Sequence, residues 1–239
     1  PQTLIAERFM LSYRVGSGGG GSVYKAFDLL TKQYVAIKFL HTQSEAAKSD
    51  PFIREANLLQ TLHHPAIVSY IAHGKTPDGS MFLALEWLEG ESLAIRLLPG
   101  PLSSQECLRL LRKVAEPLAL LHDRSIIHCD LKPNNLFLRH GLIDATTLID
   151  FGAAHDQRGI LTPNLDKEEL KATITYVAPE VVRGQSAPTP AADVFSLGCV
   201  LYECLTGAAP FGCGTVAAVI ARLLFEEPVP LRKLRPEVP

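Results

Sequence analysis

His128-Cys129-Asp130-Leu131-Lys132-Pro133-Asn134-Asn135, followed by Leu148-Ile149-Asp150-Phe151-Gly152, carries the densest chemistry in this chain. Two acids and an amide stand close together in loops flanked by apolar strand-like runs. Metal-assisted phosphoryl transfer needs such a set. Asp130 would receive the proton of an attacking hydroxyl, while Asn135 and Asp150 would offer hard oxygens to magnesium. Lys132 would neutralise charge on the transferred group.

Two upstream segments add to this set. In Val35-Ala36-Ile37-Lys38, strand alternation puts Ala36 and Lys38 on one face. A lysine facing the inner side of a sheet needs an anion, and otherwise extends to solvent. Glu55 is the candidate partner, because it lies on the apolar face of a predicted helix, where a carboxylate without a partner is costly. The run Gly16-Ser17-Gly18-Gly19-Gly20-Gly21-Ser22-Val23 would let backbone N–H groups approach phosphates closely. Taken alone it is equally a flexible hairpin turn, and flanking strands argue against a Rossmann turn, which opens into a helix.

The remaining pattern divides the chain. Phe9 to Gly16, Ser22 to Leu29, Gln33 to Leu40, Ile67 to Ala72 and Met81 to Leu85 read as strands of a small antiparallel sheet. Between them, Asp50 and Pro51 open a predicted helix whose Phe52, Ala56, Leu59 and Leu62 share one face. The expected organisation is a small β-rich lobe over 1–85, a hinge at 86–90 and a larger α-rich lobe over 91–239, with a ligand cleft at the join. In the second lobe, Ser103 and Glu106 form a capping box before a helix reaching about His122, with Pro117 expected to kink it. Val194 to Leu205 is apolar nearly all round, as a helix buried within a lobe would be, and is stopped by Gly207, and Thr215 to Phe225 reads as a surface helix.

Composition narrows the classes. Hydrophobic residues form 47% and charged residues 20% of the 239, enough for a core and against disorder. A net charge of −2 leaves no polybasic surface for nucleic acid or an anionic membrane. The five cysteines form no CxxC pair, which reads as reduced cytoplasmic thiols. No run is long and apolar enough for a membrane helix. A start at Pro1 and an end at Pro239 suggest an excerpt of a longer protein, with an incomplete second lobe.

Together these segments resemble the eukaryotic-type (Hanks-type) Ser/Thr protein kinase catalytic domain, with a bacterial flavour in the segment 187–211 and the tail. Gly16, Gly18, Gly21 and Val23 match the Gly-rich loop, Lys38 the strand lysine and Glu55 its helix partner. Asp130 matches the catalytic base, and Asn135 and Asp150 match the metal ligands. Ala178-Pro179-Glu180 matches the end of the activation segment, and Asp193 the acid that steadies the catalytic loop. The resemblance implies an α+β bilobal fold, a small antiparallel β-sheet lobe plus a larger α-helical lobe, using ATP and Mg2+ on Ser/Thr of protein substrates.

Finer roles follow from the same resemblance. Lys132 with Thr173 is similar to the Ser/Thr class. Val23, Ala36 and Phe137 would sandwich adenine, the Glu86 carbonyl and Leu88 amide would bond its edge, and Leu85 would be the gatekeeper. Leu59, Tyr70, His128 and Phe151 would form a stacked spine. Two departures stand out. Cys129 replaces the usual Arg, implying activity largely independent of phosphorylation within Asp150 to Glu180, although Arg158 or Lys171 could supply the charge near Thr162, Thr173 and Thr175. The family's last helices are missing, with the Arg that pairs with a buried Glu180. An inactive kinase-fold scaffold and a small-molecule phosphotransferase are the alternatives. The intact set of Lys38, Glu55, Asp130, Asn135 and Asp150 weighs against the first, and Thr173 with Ala178-Pro179-Glu180 against the second. The protein substrate and the oligomeric state are not encoded in these motifs.

Overall fold

Period-two patterning over the first part of the chain is expressed as a six-stranded antiparallel sheet. The computed structural model describes residues 3–18, 21–40, 45–156, 173–184, 187–212 and 214–238. Two compact units divide at Glu89 and Gly90. The first contains β1 (Leu4–Ile5), β2 (Phe9–Gly18), β3 (Gly21–Asp28), β4 (Gln33–Phe39), α1 (Glu45–Thr61), β5 (Tyr70–Lys75) and β6 (Met81–Glu86). The strand order is β1-β2-β3-β4-β6-β5.

Register sorts the side chains into two faces. Val23 pairs with Lys38, Lys25 with Ala36, and Ala36 with Leu85, so these five share one face. The opposite face contributes Ala26, Val35, Ile37, Phe82 and Ala84, which pack with Ile5 and Phe9 as a core. Each large apolar side chain buried there contributes roughly 1.5–3 kcal/mol. Asp28 closes the β3–β4 turn. It accepts from Arg8 Nε at 2.9 Å and Nη2 at 2.7 Å, from Leu30 N–H at 2.9 Å and from Thr31 Oγ1 at 2.9 Å. The Arg8 hydrogen bonds hold this carboxyl well below the usual carboxylate range, against the opposing effect of burial.

Two sequence expectations shift in this unit. The helix begins at Glu45 and not at Asp50-Pro51, because Glu45-Ala46-Ala47-Lys48 are strong helix formers that carry it upstream. Its expected buried face is found: Phe52, Ala56, Leu59 and Leu62 are all buried. The strand expected over 67–72 starts instead at Tyr70, since Ile67 and Val68 are buried from a turn in which Ile67 N–H bonds the His64 carbonyl at 3.0 Å.

The second unit begins with β7 (Gly90–Ser92), α2 (Leu93–Leu97), α3 (Ser104–Asp123) and β8 (Ile126–Ile127). It continues with β9 (Leu136–Arg139), β10 (Thr146–Leu148), β11 (His155–Asp156), α4 (Pro179–Val182), α5 (Pro190–Thr206), α6 (Val216–Phe225) and α7 (Leu231–Leu234). β10-β9-β7 and β11-β8 form two small antiparallel sheets. The capping box is complete: Ser103 Oγ accepts from Glu106 N–H at 3.2 Å, and Glu106 Oε2 accepts from Ser103 N–H at 2.9 Å. One helix passes through Pro117, which is buried inside it. Gly207 ends α5 at φ 79°, a left-handed cap. That helix is not buried all round, for Ala191, Val194 and Gly198 line an exposed stripe, with Val194 at 64%. Glu180, expected to be buried, is half-buried, because α4 is a single short turn with no buried residues.

Candidate functional site

In the first unit, adjacent strands β3 and β4 and helix α1 position the candidate residues. Lys38 Nζ donates to both carboxylate oxygens of Glu55, at 2.9 and 3.0 Å. Their side chains retain 15% and 3% of their exposure, so the ion pair is largely withdrawn from water. The Gly-rich hairpin continues the β2–β3 ladder, with Gly16 opposite Val23 and Gly18 opposite Gly21; Gly19 and Gly20 lie outside the described residues. Gly21 is required by packing: at φ 136°, a Cβ there would come within 1.9 Å of the Phe39 carbonyl oxygen. A Cβ at Gly16 meets nothing within 4 Å, so that glycine is not explained by crowding. Glu86 ends β6, its side chain accepting from Ser69 N–H at 2.8 Å, and Leu88 follows, half-buried.

In the second unit, the loop after β8 gathers the expected acid, lysine and amide. Lys132 Nζ donates to Asp130 Oδ2 at 2.8 Å and to Thr173 Oγ1 at 2.9 Å. Thr173 Oγ1 lies 3.3 Å from Asp130 Oδ1. Asn135 Nδ2 donates to the Asp130 carbonyl and to its Oδ2, each at 2.8 Å. The amide of Asn135 therefore braces the acid, leaving its carbonyl oxygen as the end suited to a cation.

The β9–β10 pair explains how Asn135 and Asp150 come together. Leu136 pairs with Leu148, and Ile149 N–H bonds the Asn135 carbonyl at 3.0 Å, so the two candidate ligands leave the same end of one ladder. Asp150 is held at φ 64°, a left-handed conformation that costs an ordinary residue energy, and its Oδ1 accepts from Gly152 N–H at 3.3 Å. One carboxylate and one amide oxygen are hard donors, few in number, as suits magnesium shared with phosphates.

Asp193, at the start of α5, holds the loop's backbone. This fully buried carboxylate accepts from His128 N–H and Cys129 N–H, each at 2.9 Å, and pairs with His122 Nε2 at 2.8 Å. Cys129 sits at φ 62°, so the loop is strained where Asp193 grips it. His128 is fully buried, its ring 4.9 Å from that of Phe151, and its Nδ1 accepts from Asp130 N–H at 3.3 Å. Burial pushes the His128 imidazole below the ordinary histidine range, against the opposing attraction of Asp193, Asp130 and Asp150. The ring is therefore neutral at neutral pH.

Phe137 lies in β9, opposite Thr147, and is half-buried. Thr173 and Thr175 are buried, whereas Thr162, Arg158 and Lys171 fall outside the described residues. His122 was not singled out in the sequence. It lies 71 residues from Asp193, and only the packing of α3 against α5 pairs them.

The sequence model of the protein kinase domain family matches residues 9–227. The chain is 34% identical over 245 residues to the serine/threonine-protein kinase pkn2 of Myxococcus xanthus, covering 99% of this chain and 29% of that protein. It is 32% identical over 234 residues to the serine/threonine-protein kinase PknB of Mycolicibacterium smegmatis, covering 95% and 37%. It is also 32% identical over 241 residues to the serine/threonine-protein kinase PrkC of Bacillus subtilis, covering 98% and 36%. The chain thus spans about a third of the length of these curated relatives.

Proposed function

The chain belongs to the protein kinase domain family, and from that premise we propose that it transfers the γ-phosphoryl group of ATP to serine or threonine hydroxyls of protein substrates. The observation that carries this reading is the cluster of Asp130, Lys132 and Thr173. A carboxylate that can take a hydroxyl proton is bonded by a lysine, and that lysine is bonded in turn by a threonine from the following segment.

For the first unit the proposed role is nucleotide binding. Lys38, aligned by Glu55, holds phosphate oxygens, and the backbone of Gly16, Gly18 and Gly21 covers them. Val23 and Ala36, on the Lys38 face of the sheet, offer an apolar surface to adenine, and the backbone of Glu86 and Leu88 offers its edge hydrogen bonds.

For the second unit the proposed role is chemistry. The substrate hydroxyl oxygen attacks the γ-phosphorus, the bond to the ADP oxygen breaks, and Asp130 accepts the hydroxyl proton. Lys132 offsets negative charge on the moving phosphoryl group, and Thr173 fixes Lys132. Protein kinases use ATP with a divalent metal; here Asn135 and Asp150 would hold Mg2+, which neutralises charge on the phosphates. Asp193 keeps the strained loop in place. Among the described residues, Cys107, Cys129, Cys199 and Cys204 are thiols outside any disulfide, which fits a reducing, cytoplasmic setting. Among the described residues, no helix is long and apolar enough to cross a membrane.

The assignment is tested with Asp150→Asn, which removes a metal-binding charge at constant volume. Transfer from ATP to a peptide should fall by on the order of a thousand-fold, with an unchanged circular dichroism spectrum. Near-full turnover in this variant would remove Asp150 from the mechanism.

A further inference from the structure

A lysine with no place in the proposed chemistry is held by three groups at once. Lys25 lies on β3 and shares the face of Val23, Ala36 and Lys38. A lysine with apolar neighbours ordinarily extends to solvent, yet this side chain keeps only 15% of its exposure. Its ammonium sits 4.3 Å from the centre of the Tyr34 ring and 4.5 Å from that of Trp87. At such distances the face of an aromatic ring attracts a cation. Tyr34 stands two residues before Ala36 on β4, and so on the same face. Glu89 completes the set: its Oε1 accepts from Lys25 Nζ at 3.4 Å and from Trp87 Nε1 at 2.5 Å.

These contacts bear on one stretch of backbone. Residues 87–89 belong to neither strand nor helix, so side-chain contacts fix their course. On one side, Glu86 N–H bonds the Ser69 carbonyl at 3.0 Å, and Glu86 Oε1 accepts from the Ser69 N–H and hydroxyl at 2.8 and 3.0 Å. On the other, Trp87 and Glu89 are drawn to a single ammonium, with Leu88 between them. The ion pair alone contributes little, since Glu89 is 62% exposed. The two rings, with the ammonium largely withdrawn from water, supply most of the grip. All of these residues belong to the first unit.

We propose that Lys25 is a positioning residue for the base of the nucleotide. By holding Trp87 and Glu89 against the sheet, it sets the Leu88 N–H in place before the adenine edge meets it. This role rests on the nucleotide-binding reading of the first unit given above. A backbone donor ordered in advance loses less freedom on binding, so affinity is gained without a new contact. The effect belongs to the base, because the phosphates are given to Lys38 and the Gly-rich hairpin.

Trp87 is the one tryptophan of the chain, so its emission reports on this segment directly. The test measures binding of magnesium-ATP, adenosine and inorganic tripolyphosphate by calorimetry. It compares the unsubstituted chain with Lys25→Met, Lys25→Arg and Glu89→Gln. Lys25→Met, which keeps an unbranched stem without charge, should weaken ATP and adenosine by the same factor, about fivefold to tenfold. Tripolyphosphate binding should not change, and acrylamide should quench Trp87 more strongly. The KM for ATP should rise with the Kd, while kcat at saturating ATP stays within about twofold. Lys25→Arg should restore binding, because a guanidinium also stacks on aromatic rings. Glu89→Gln, at an exposed position, should weaken adenosine binding by about twofold, which keeps the result decidable even where Lys25→Met folds poorly. Adenosine binding unchanged in Lys25→Met and Glu89→Gln, an equal loss for tripolyphosphate, or a fall in kcat at constant KM would overturn the role of Lys25 alone. If the unsubstituted chain binds neither ATP nor adenosine, the nucleotide reading is overturned and this role with it.

Discussion

Lys38 and Glu55 are each held where an isolated charge is costly, and each removes the other's cost. This mutual dependence is why the two could be paired from sequence alone, although 17 residues separate them. Lys38→Met should lower kcat on the order of 100-fold, with a smaller change in nucleotide Kd, since phosphate positioning matters most in the transition state. Unchanged binding and turnover would make Lys38 structural only. His128 gives a second expectation at this scale. Its folded pKa lies below the ordinary value of about 6.5, so its contribution to stability is fully present above that pH and is lost as pH falls from there through the folded value, the unfolded chain taking up the proton first. Urea midpoints should therefore drop between about pH 7.5 and about pH 5.5, and drop less in His128→Phe. Equal drops would show that His128 does not titrate in this way.

At the scale of elements, the Arg8–Asp28 pair ties the start of β2 to the β3–β4 turn. Asp28 has no exposed side-chain surface, while Arg8 keeps 27%. Arg8→Ala should cost about 2–3 kcal/mol, less than the loss of a fully buried pair because water reaches the guanidinium. The sign of the pH effect follows from the depressed Asp28 pKa: its stabilisation is present above the ordinary value of about 3.9 and is lost as pH falls through the folded value. The deficit of Arg8→Ala should therefore persist from neutral pH to about 4 and shrink below it, as denaturant melts at several pH values would show. Local signals were legible in sequence, as the Ser103–Glu106 box and the Gly207 cap illustrate, because each rests on contacts a few residues apart. The start of α1 was misplaced because Asp50-Pro51 is one sound beginning and Glu45-Ala46-Ala47-Lys48 another, and only the fold chooses between them. His122 with Asp193 had no local signal at all.

For the molecule as a whole, the motifs at Lys38, Asp130, Asn135 and Asp150 were legible because the proposed chemistry demands fixed residue types at these positions, which leaves little freedom in spelling. In the structure the neighbours expected from sequence hold them: Glu55 bonds Lys38, Lys132 with Thr173 bonds Asp130, and Asp193 grips the strained backbone at Cys129. The proposed function gives the nucleotide to the first unit and proton removal and charge neutralisation to the second. The direct measurement is incubation of the chain with γ-labelled ATP, magnesium and a degenerate Ser/Thr/Tyr peptide library, beside Asp130→Asn. The unsubstituted chain should place label on serine or threonine, with a loss on the order of a thousand-fold in the variant. Label on tyrosine, no label on peptide, or equal labelling by Asp130→Asn would contradict it.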